Sequence, residues 1–442
     1  MVNGILFSKL EECICKSNPQ QLPSKISNQI MPKPTGFKEV LAQSGLMPSP
    51  SGITQEALVW TKQNAKSLLI GIPKEVSMQE RRVSLSPSAV GLLVRNGHQV
   101  LIETGAGNGA KFTDNQYSDA GGQISYTTEE VLKSDVILKV QPLTDSEMEY
   151  LNNGSTVISA LNMPRMTKEY FEQLNRKKIT ALCYEYIEDN VGGMPIIRAM
   201  SEIAGSTVML IAAECLSSAN EGMGVILGGI TGVPPTKVVI LGAGTVSEYT
   251  ARIAIGLGAD LKVFDKDIYK LQRLKYSVGH NIYTCIIDSN TLTQAISEAD
   301  VVIGALRAED GFTPCIVTEE MVSMMKPDSV IIDVCIDQGG CFETSEMTTH
   351  DNPIFRKHDV IHYCVPNIPS RVAHTATQAL SNIFTSFLLK TGKTGGIDEA
   401  IFANKSFMKG VYTYKGSLTN ANIAKKFGMN YKDLSLLSAA RF

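Results

Sequence analysis

A glycine-rich turn holds the residues best suited to chemistry. The sequence Leu241-Gly242-Ala243-Gly244-Thr245-Val246-Ser247 follows a β-branched run and precedes a helical pattern. Gly242 permits a tight turn, Gly244 lets main-chain amides approach an anion, and the start of the helix adds partial positive charge. Asp265 closes the next predicted strand, where a carboxylate accepts hydrogen bonds from ribose hydroxyls and repels a 2′-phosphate. The pattern predicts an NAD site at Gly242, Ala243, Gly244, Thr245, Val246 and Asp265, with Ser247 in place of the usual third glycine.

The composition narrows the classes of partner. With 442 residues, of which 43% are hydrophobic and 19% charged, the chain has the composition of a globular protein of two or three domains. A net charge of -3 without basic runs argues against nucleic acid as a partner. No apolar run is long enough to span a bilayer, and the start lacks the order of a signal peptide, so we expect a cytoplasmic protein without a membrane partner. The nine cysteines are scattered, which favours reduced thiols and no metal site.

Short apolar runs that alternate with helical patterns predict the elements around the glycine turn. This alternation is typical of parallel strands joined by crossover helices, so the predicted fold is α/β with two Rossmann-like doubly wound domains. The apolar segment 200–219 is either a helix that joins the domains or a plain core helix. The predicted boundaries are 1–66 for an N-terminal extension, 67–199 with 373–442 for a substrate domain, and 200–372 for an NAD-binding domain. Strands are predicted at 68–72, 99–103, 136–140, 156–161, 180–184, 237–241, 261–264, 301–305, 330–335 and 360–365, and a last helix at about 372–389.

Several longer motifs resemble one known family. They include Gly71-Ile72-Pro73-Lys74-Glu75, Glu80-Arg81-Arg82-Val83, Gly228-Gly229-Ile230-Thr231-Gly232-Val233, Ile336-Asp337-Gln338-Gly339-Gly340-Cys341 and Tyr363-Cys364-Val365-Pro366-Asn367-Ile368-Pro369. In this order they resemble the alanine dehydrogenase family, a relative of the transhydrogenase α subunit, over about 69–436. The resemblance implies a two-domain subunit with a cleft between the domains and assembly as a homo-oligomer, usually a hexamer. It also implies NAD-dependent, reversible conversion of L-alanine to pyruvate and ammonia.

The resemblance also suggests roles for three residues. Arg82 matches the arginine that grips the substrate carboxylate, whereas an arginine after a loop is otherwise a surface charge. Asp337 matches an aspartate near the nicotinamide that orients or deprotonates the attacking water, and a turn acid before two glycines is the alternative. Asn367 matches a residue close to the nicotinamide, with an ordinary turn asparagine as the alternative.

Two positions depart from the family pattern. Gln141 stands where the family has its substrate-binding lysine, and Asn162 stands where it has its catalytic histidine. Asparagine cannot carry a proton. The rate acceleration of roughly 10²- to 10⁴-fold that general acid–base catalysis contributes would therefore be lost unless another residue supplies it. Lys139 either leans into the cleft as a substitute or forms an ion pair, and His362 and His374 flank the cleft segment as substitute proton carriers. Three hypotheses follow: an alanine dehydrogenase with altered efficiency, an NAD-binding regulatory protein without catalysis, and a dehydrogenase for another 2-amino acid.

Overall fold

A computed structural model describes residues 66–189, 191–307 and 313–439. The predicted extension 1–66, apart from its last residue, therefore lies outside the described residues. The strands are β1 (Leu69–Ile72), β2 (Gln99–Glu103), β3 (Gln123–Ser125), β4 (Val136–Leu138), β5 (Thr156–Ser159), β6 (Thr180–Cys183), β7 (Lys237–Leu241), β8 (Asp260–Asp265), β9 (Tyr283–Ile286), β10 (Val301–Gly304), β11 (Val330–Asp333), β12 (Ile354–Lys357), β13 (Val360–Tyr363), β14 (Val411–Tyr414) and β15 (Ser417–Leu418). The α-helices are α1 (Pro87–Arg95), α2 (Asp114–Asp119), α3 (Thr128–Leu132), α4 (Asp145–Tyr150), α5 (Lys168–Arg176), α6 (Pro195–Leu216), α7 (Thr245–Leu257), α8 (Ile268–Val278), α9 (Ser289–Glu298), α10 (Glu319–Ser323), α11 (Ala373–Lys393), α12 (Ile397–Ala403), α13 (Lys405–Met408), α14 (Ala421–Phe427) and α15 (Leu434–Ala439).

Among the described residues the first sheet has eight strands, in the order β15-β14-β6-β5-β4-β1-β2-β3. Strands β1 to β6 are parallel, and β14 and β15 extend the sheet with antiparallel pairing. The strand order reverses between β1 and β4, because β2 lies on one side of β1 and β4 on the other. Ligands of open α/β sheets bind outside the carboxyl ends of the strands at such a reversal.

In the part of the chain that the structure describes, the second sheet has seven strands, in the order β12-β13-β11-β10-β7-β8-β9. Only β12 pairs antiparallel among these described strands. Its order reverses between β7 and β10, where the Ala305 N–H donates to the Leu241 carbonyl at 2.8 Å. The glycine turn therefore begins at the reversal point. The two parallel-dominated sheets with their helices confirm the predicted α/β fold, whereas the residue boundaries of the two domains remain a prediction.

Burial on both faces explains why the strands are continuous apolar runs. Neighbours along one strand alternate between clusters: Val238 belongs to one buried cluster of the second sheet and Val239 to another. In the first sheet Val136 and Ile137 divide between two clusters in the same way. Strands covered by helices on both faces need no polar alternation, so they read as unbroken hydrophobic stretches.

Helices α6 and α11 each lead from one sheet to the other, and they pack against each other. The predicted segment 200–219 lies mostly within α6, which starts earlier because Pro195 suits a first helical turn. Helix α6 also packs closely on α7, since a Cβ at Gly205 would lie 2.3 Å from the Val246 carbonyl oxygen. By length and composition alone α6 could cross a membrane, but Val208 and Leu216 are fully buried in the protein core. The segment is therefore both a helix that leads from one sheet to the other and a helix of the protein core.

Candidate active site at the strand ends

Every predicted site residue lies at or after the carboxyl end of a parallel strand. Loops from the two sheets meet there, because the Arg81 N–H donates to Ser370 Oγ at 2.9 Å and the Gln79 side chain bonds to His350 and Asp351. In the first sheet Arg82 follows β1, Lys139 and Gln141 follow β4, and Asn162 follows β5. In the second sheet Gly242 follows β7, Asp337 follows β11, Asn367 follows β13, and Asp265 ends β8.

Glu80 joins three of the predicted site residues, although sequence reasoning gives it no role. Arg82 holds its carboxylate with two parallel bonds, from Nε to Oε1 at 2.8 Å and from Nη2 to Oε2 at 2.7 Å. Gln141 Nε2 donates to Oε2 at 2.7 Å, and Asn367 Nδ2 donates to the same oxygen at 2.6 Å. The exposed fractions of the Arg82 and Glu80 side chains are 6% and 0%. The structure thus brings Arg82, Gln141 and Asn367 together around one buried carboxylate.

These contacts keep the Glu80 carboxyl ionised. Burial opposes its ionisation, but the charge and hydrogen bonds of Arg82 and the amide of Gln141 outweigh burial and lower the pKa of Glu80 to about 2. Burial likewise disfavours the charged form of Arg82, and Glu80 outweighs it and raises the pKa of the guanidinium. Both groups are therefore ionised in the neutral range.

Lys139 forms the ion pair that was one of its two predicted alternatives. Its Nζ lies 2.6 Å from Glu147 Oε1 and 3.3 Å from Glu75 Oε2, and 1% of the side chain is exposed. Burial opposes its charge, but Glu75 and Glu147 outweigh burial and raise the pKa of the ammonium group. Glu75 also accepts the Val140 N–H, so this cluster ties the loop after β4 to the loop after β1. This placement favours the ion-pair alternative over an amine that leans into the cleft, because both carboxylates already hold it inside the protein.

Asp337 lies in a short 3-10 turn, Ile336–Gln338, just beyond β11. Asp337 is exposed to solvent on one side, and protein surrounds its carboxyl group on the other sides. That desolvation, together with the charge of Glu185, raises the pKa of Asp337 to about 6, although Arg165 acts in the opposite direction. An accessible carboxyl with this pKa can take up and release a proton near neutral pH, as an unperturbed imidazole does.

Buried Asp333 anchors the turn that carries Asp337. Its carboxylate accepts the Cys341 N–H at 3.0 Å, the Ser345 hydroxyl at 2.7 Å and the Cys335 thiol at 3.1 Å. Asp333, Cys335 and Cys341 offer ligand atoms within 4.8 Å of one another, as a metal site would require. Because protein donors already surround the carboxylate, we attribute this cluster to holding the turn in place.

The two site asparagines share an unusual backbone conformation. Asn162 has φ 41° and ψ 60°, Asn367 has φ 63° and ψ 44°, and each precedes a 3-10 turn. Asparagine tolerates this left-handed region better than most residues, so both positions have a structural reason for their residue type. Within the described part of the chain no hydrogen bond uses the Asn162 side chain, whereas Asn367 contacts Glu80.

Neither histidine offered as a substitute proton carrier contacts the Glu80 cluster. His362 is fully buried, with Nε2 2.8 Å from Thr344 Oγ1 and Nδ1 3.0 Å from the Val360 carbonyl, and burial lowers its pKa. His374 has Nδ1 2.8 Å from the Ala110 carbonyl. With both nitrogens engaged inside the protein, His362 cannot serve as the proton carrier.

The glycine turn has the geometry that its sequence predicts. Gly242 has φ +108°, and a Cβ there would lie 2.5 Å from the Ala305 carbonyl oxygen. Both the backbone conformation and this close approach therefore exclude a side chain. Gly244 faces open space, with no atom within 4 Å of a Cβ built on it. It precedes the first residue of α7, Thr245, without a side-chain cap, so the first amides of the helix remain free for an anion. Val246 follows in the first turn, and Ser247 is fully buried in the helix packing.

Asp265 sits directly beside this turn. Its Oδ2 accepts the Ala243 N–H at 2.7 Å, and its Oδ1 accepts the Asp267 N–H at 2.8 Å. The carboxylate therefore fixes the middle of the glycine turn, a contact that the sequence does not reveal. Each oxygen keeps a second lone pair that can accept a ribose hydroxyl.

The sequence did not predict roles in the site for four acidic residues, Glu80, Glu75, Glu185 and Asp333. Glu80 had a detectable signal, because a carboxylate two residues before an arginine in the same loop is placed for bidentate pairing. Glu75 and Glu185 act on residues far along the chain, and Asp333 depends on how the segment after β11 folds back onto it. Their roles therefore appear only in the folded structure.

The two sheets and the glycine turn at a reversal point define an α/β protein of the Rossmann-like class. Residues 71–204 match the family model described as "Alanine dehydrogenase/PNT, N-terminal domain", and residues 208–421 match "Alanine dehydrogenase/PNT, C-terminal domain". The chain belongs to this alanine dehydrogenase/PNT family, as the motifs suggested. Membership implies a nicotinamide cofactor and supports an NAD-dependent, alanine dehydrogenase-like oxidoreductase.

Individual relatives agree with this membership. "Alanine dehydrogenase 2" of Staphylococcus aureus (strain USA300) is 39% identical over 366 residues, which are 83% of this chain and 98% of the relative. A solved L-alanine dehydrogenase superposes with a TM-score of 0.77 at 36% identity, covering 82% of this chain and 99% of that one. A transhydrogenase from Sinorhizobium meliloti shares the fold, with a TM-score of 0.68, 24% identity, and coverage of 80% and 99%.

Proposed function

We propose that the chain is an NAD-dependent dehydrogenase that interconverts L-alanine with pyruvate and ammonia. One observation carries this proposal: Arg82, Gln141 and Asn367, from loops of both sheets, converge as donors on a single carboxylate. A 2-amino acid and its 2-oxo product both present such a group. The relatives named alanine dehydrogenase make L-alanine the first substrate to test.

The glycine turn suits the dinucleotide in this proposal. Gly244 leaves free space beside unpaired helix amides, which can hold a pyrophosphate, and Asp265 is placed to accept ribose hydroxyls. The Asp265 carboxylate favours NAD over NADP, because a 2′-phosphate would meet its negative charge. A bound NAD would supply the hydride acceptor for C2 of the amino acid.

Asp337 is the residue to which we assign the proton transfer. Its pKa of about 6 leaves the carboxyl mostly ionised at neutral pH, so it can take a proton from the attacking water in the oxidative direction. Arg82 orients the substrate carboxylate, and Asn162 contributes at most a hydrogen bond. Lys139 has a positioning role, because it fixes the loops of Glu75 and Gln141 without reaching the substrate.

A regulatory protein that binds NAD without turnover is the second candidate function. Gln141 and Asn162 lack the cation and the proton carrier of the family pattern, and Glu80 already occupies the donors of Arg82 that face it. A dehydrogenase for another 2-amino acid is the remaining alternative. It shares the proposed chemistry and differs only in the side chain that the site admits.

One experiment separates these functions. Purified protein is mixed with NAD and a panel of 2-amino acids, reduced nicotinamide is followed by absorbance, and NAD binding is measured by calorimetry. Turnover with L-alanine that disappears in Arg82→Ala supports the proposal, and an unchanged rate in Asn162→His would show that another group carries the proton. Binding of NAD without turnover on any amino acid would favour the regulatory function.

We also propose a homo-oligomer, of hexameric size, in the cytoplasm. An exposed apolar surface supports the oligomer: Leu210 on α6 and Ile226, Ile230 and Val233 in the following loop are each more than half exposed. Exposed apolar patches of this kind mark subunit contacts in many proteins. Light scattering of the purified chain tests the proposal, and a monomer at micromolar concentration would contradict it.

A further inference from the structure

The carboxylate of Glu80 already has the contacts that a bound substrate carboxylate would need. Its Oε1 accepts from Arg82 Nε at 2.8 Å and from the Arg82 main-chain N–H at 2.9 Å. Its Oε2 accepts from Arg82 Nη2, Gln141 Nε2 and Asn367 Nδ2 at 2.6 to 2.7 Å. The side chain is fully buried. Both oxygens are therefore saturated by donors from three different loops.

The charges within this cluster cancel. Arg82 contributes one positive charge and Glu80 one negative charge, while Gln141 and Asn367 are neutral. The buried ammonium of Lys139 lies between two other carboxylates, so it supplies no surplus positive charge to the cluster. A further anion in this site would be uncompensated, and an unpaired charge away from water is strongly unfavourable.

We propose that Glu80 competes in cis with the substrate carboxylate and makes the site prefer a zwitterionic 2-amino acid to an anionic 2-oxo acid. The inference rests on the proposed function, because it concerns the substrates of that same site. A 2-amino acid brings an ammonium group with its carboxylate and leaves the total charge unchanged. A 2-oxo acid adds one negative charge beside Glu80, and it must displace Glu80 or share Arg82 with it. The neutral side chain of Gln141 contributes to this preference, because a lysine at that position would supply the positive charge that a 2-oxo acid needs.

Calorimetry of two ligands tests this inference. Pyruvate and L-alanine are each titrated into the NADH-loaded protein, for the wild type, Glu80→Gln and Gln141→Lys. Neither ligand reacts there, because pyruvate needs ammonia and L-alanine needs the oxidised cofactor. In both variants we expect the Kd of pyruvate to fall about tenfold or more, and that of L-alanine to change less than about threefold. Glu129→Gln is the matched control, because it removes one carboxylate from an exposed i,i+4 pair with Lys133, and it should change neither Kd.

Four results would overturn the inference. A weaker binding of pyruvate in folded Glu80→Gln would mean that Glu80 prepares Arg82 for the substrate. Equal shifts for both ligands would remove the charge selectivity. Because Glu80→Gln leaves the Arg82 charge without its partner, Gln141→Lys tests the charge balance even where the first variant does not fold, and an unchanged pyruvate Kd there contradicts it. Selective binding without turnover would contradict the proposed function and leave this inference standing, whereas no binding of either ligand would overturn both.

Discussion

Replacing Lys139 by methionine should destabilise the fold far more than any surface lysine would. The side chain is 1% exposed and lies 2.6 Å from Glu147 and 3.3 Å from Glu75. Removing one partner from a buried ion pair costs about 3–5 kcal/mol, because the remaining charge is left without compensation. Methionine is similar in volume, so lost packing adds little to this loss.

Urea unfolding of the ligand-free protein measures the effect. Lys133→Met is the matched control: its partner Glu129 is an exposed residue four positions earlier, and such pairs contribute about 0–1 kcal/mol. The double variant Lys139→Met/Glu147→Gln should recover part of the loss, since one of the two uncompensated charges is gone. If Lys139→Met loses less than about 1 kcal/mol yet abolishes turnover, the positioning role is refuted and a direct catalytic role for Lys139 is favoured.

Two further predictions concern Asp337 and Asp265. As the pH falls through about 6, Asp337 takes up a proton and can no longer act as a base, so kcat/KM for L-alanine oxidation should fall, and Asp337→Asn should remove that limb from the pH profile. An unchanged profile in Asp337→Asn would assign the proton transfer to another group. Asp265→Ala removes the acceptor for Ala243 N–H, so calorimetry should show the Kd of NAD rising about tenfold or more, with NADP losing less than NAD. Equal NAD binding by both proteins would mean that Asp265 does not contact the ribose.

The central strands were predictable, and several edge strands were not. The run before the glycine turn, β7, is apolar on both faces and was predicted at its observed ends. By contrast β12 (Ile354–Lys357) mixes apolar and charged residues and carries exposed side chains. Its antiparallel pairing at the sheet edge leaves no periodic signal, as expected for a strand with no neighbour on one side.

In the candidate site, too, features that depend on neighbouring residues were predictable, and features that depend on distant residues were not. Gly242 and Gly244 were recognisable because their role depends on the neighbouring strand and helix, which are local in sequence. The choice between cleft and ion pair for Lys139 depended on Glu75, which is brought close only by the pairing of β1 with β4. Likewise Asn367 meets Glu80 through the contact between loops of two sheets, which no sequence pattern records.

The binding of NAD by Gly244→Val shows whether the glycine turn holds the dinucleotide. A side chain at Gly244 meets no atom within 4 Å, and the backbone there is extended, so the variant should unfold at the same temperature as the wild type without NAD. The valine would fill the space beside the free amides of α7, so calorimetry should show that NAD binding is lost or weakened at least about tenfold. A Gly244→Val protein that binds NAD as tightly as the wild type would place the dinucleotide elsewhere and exclude the glycine turn as its site.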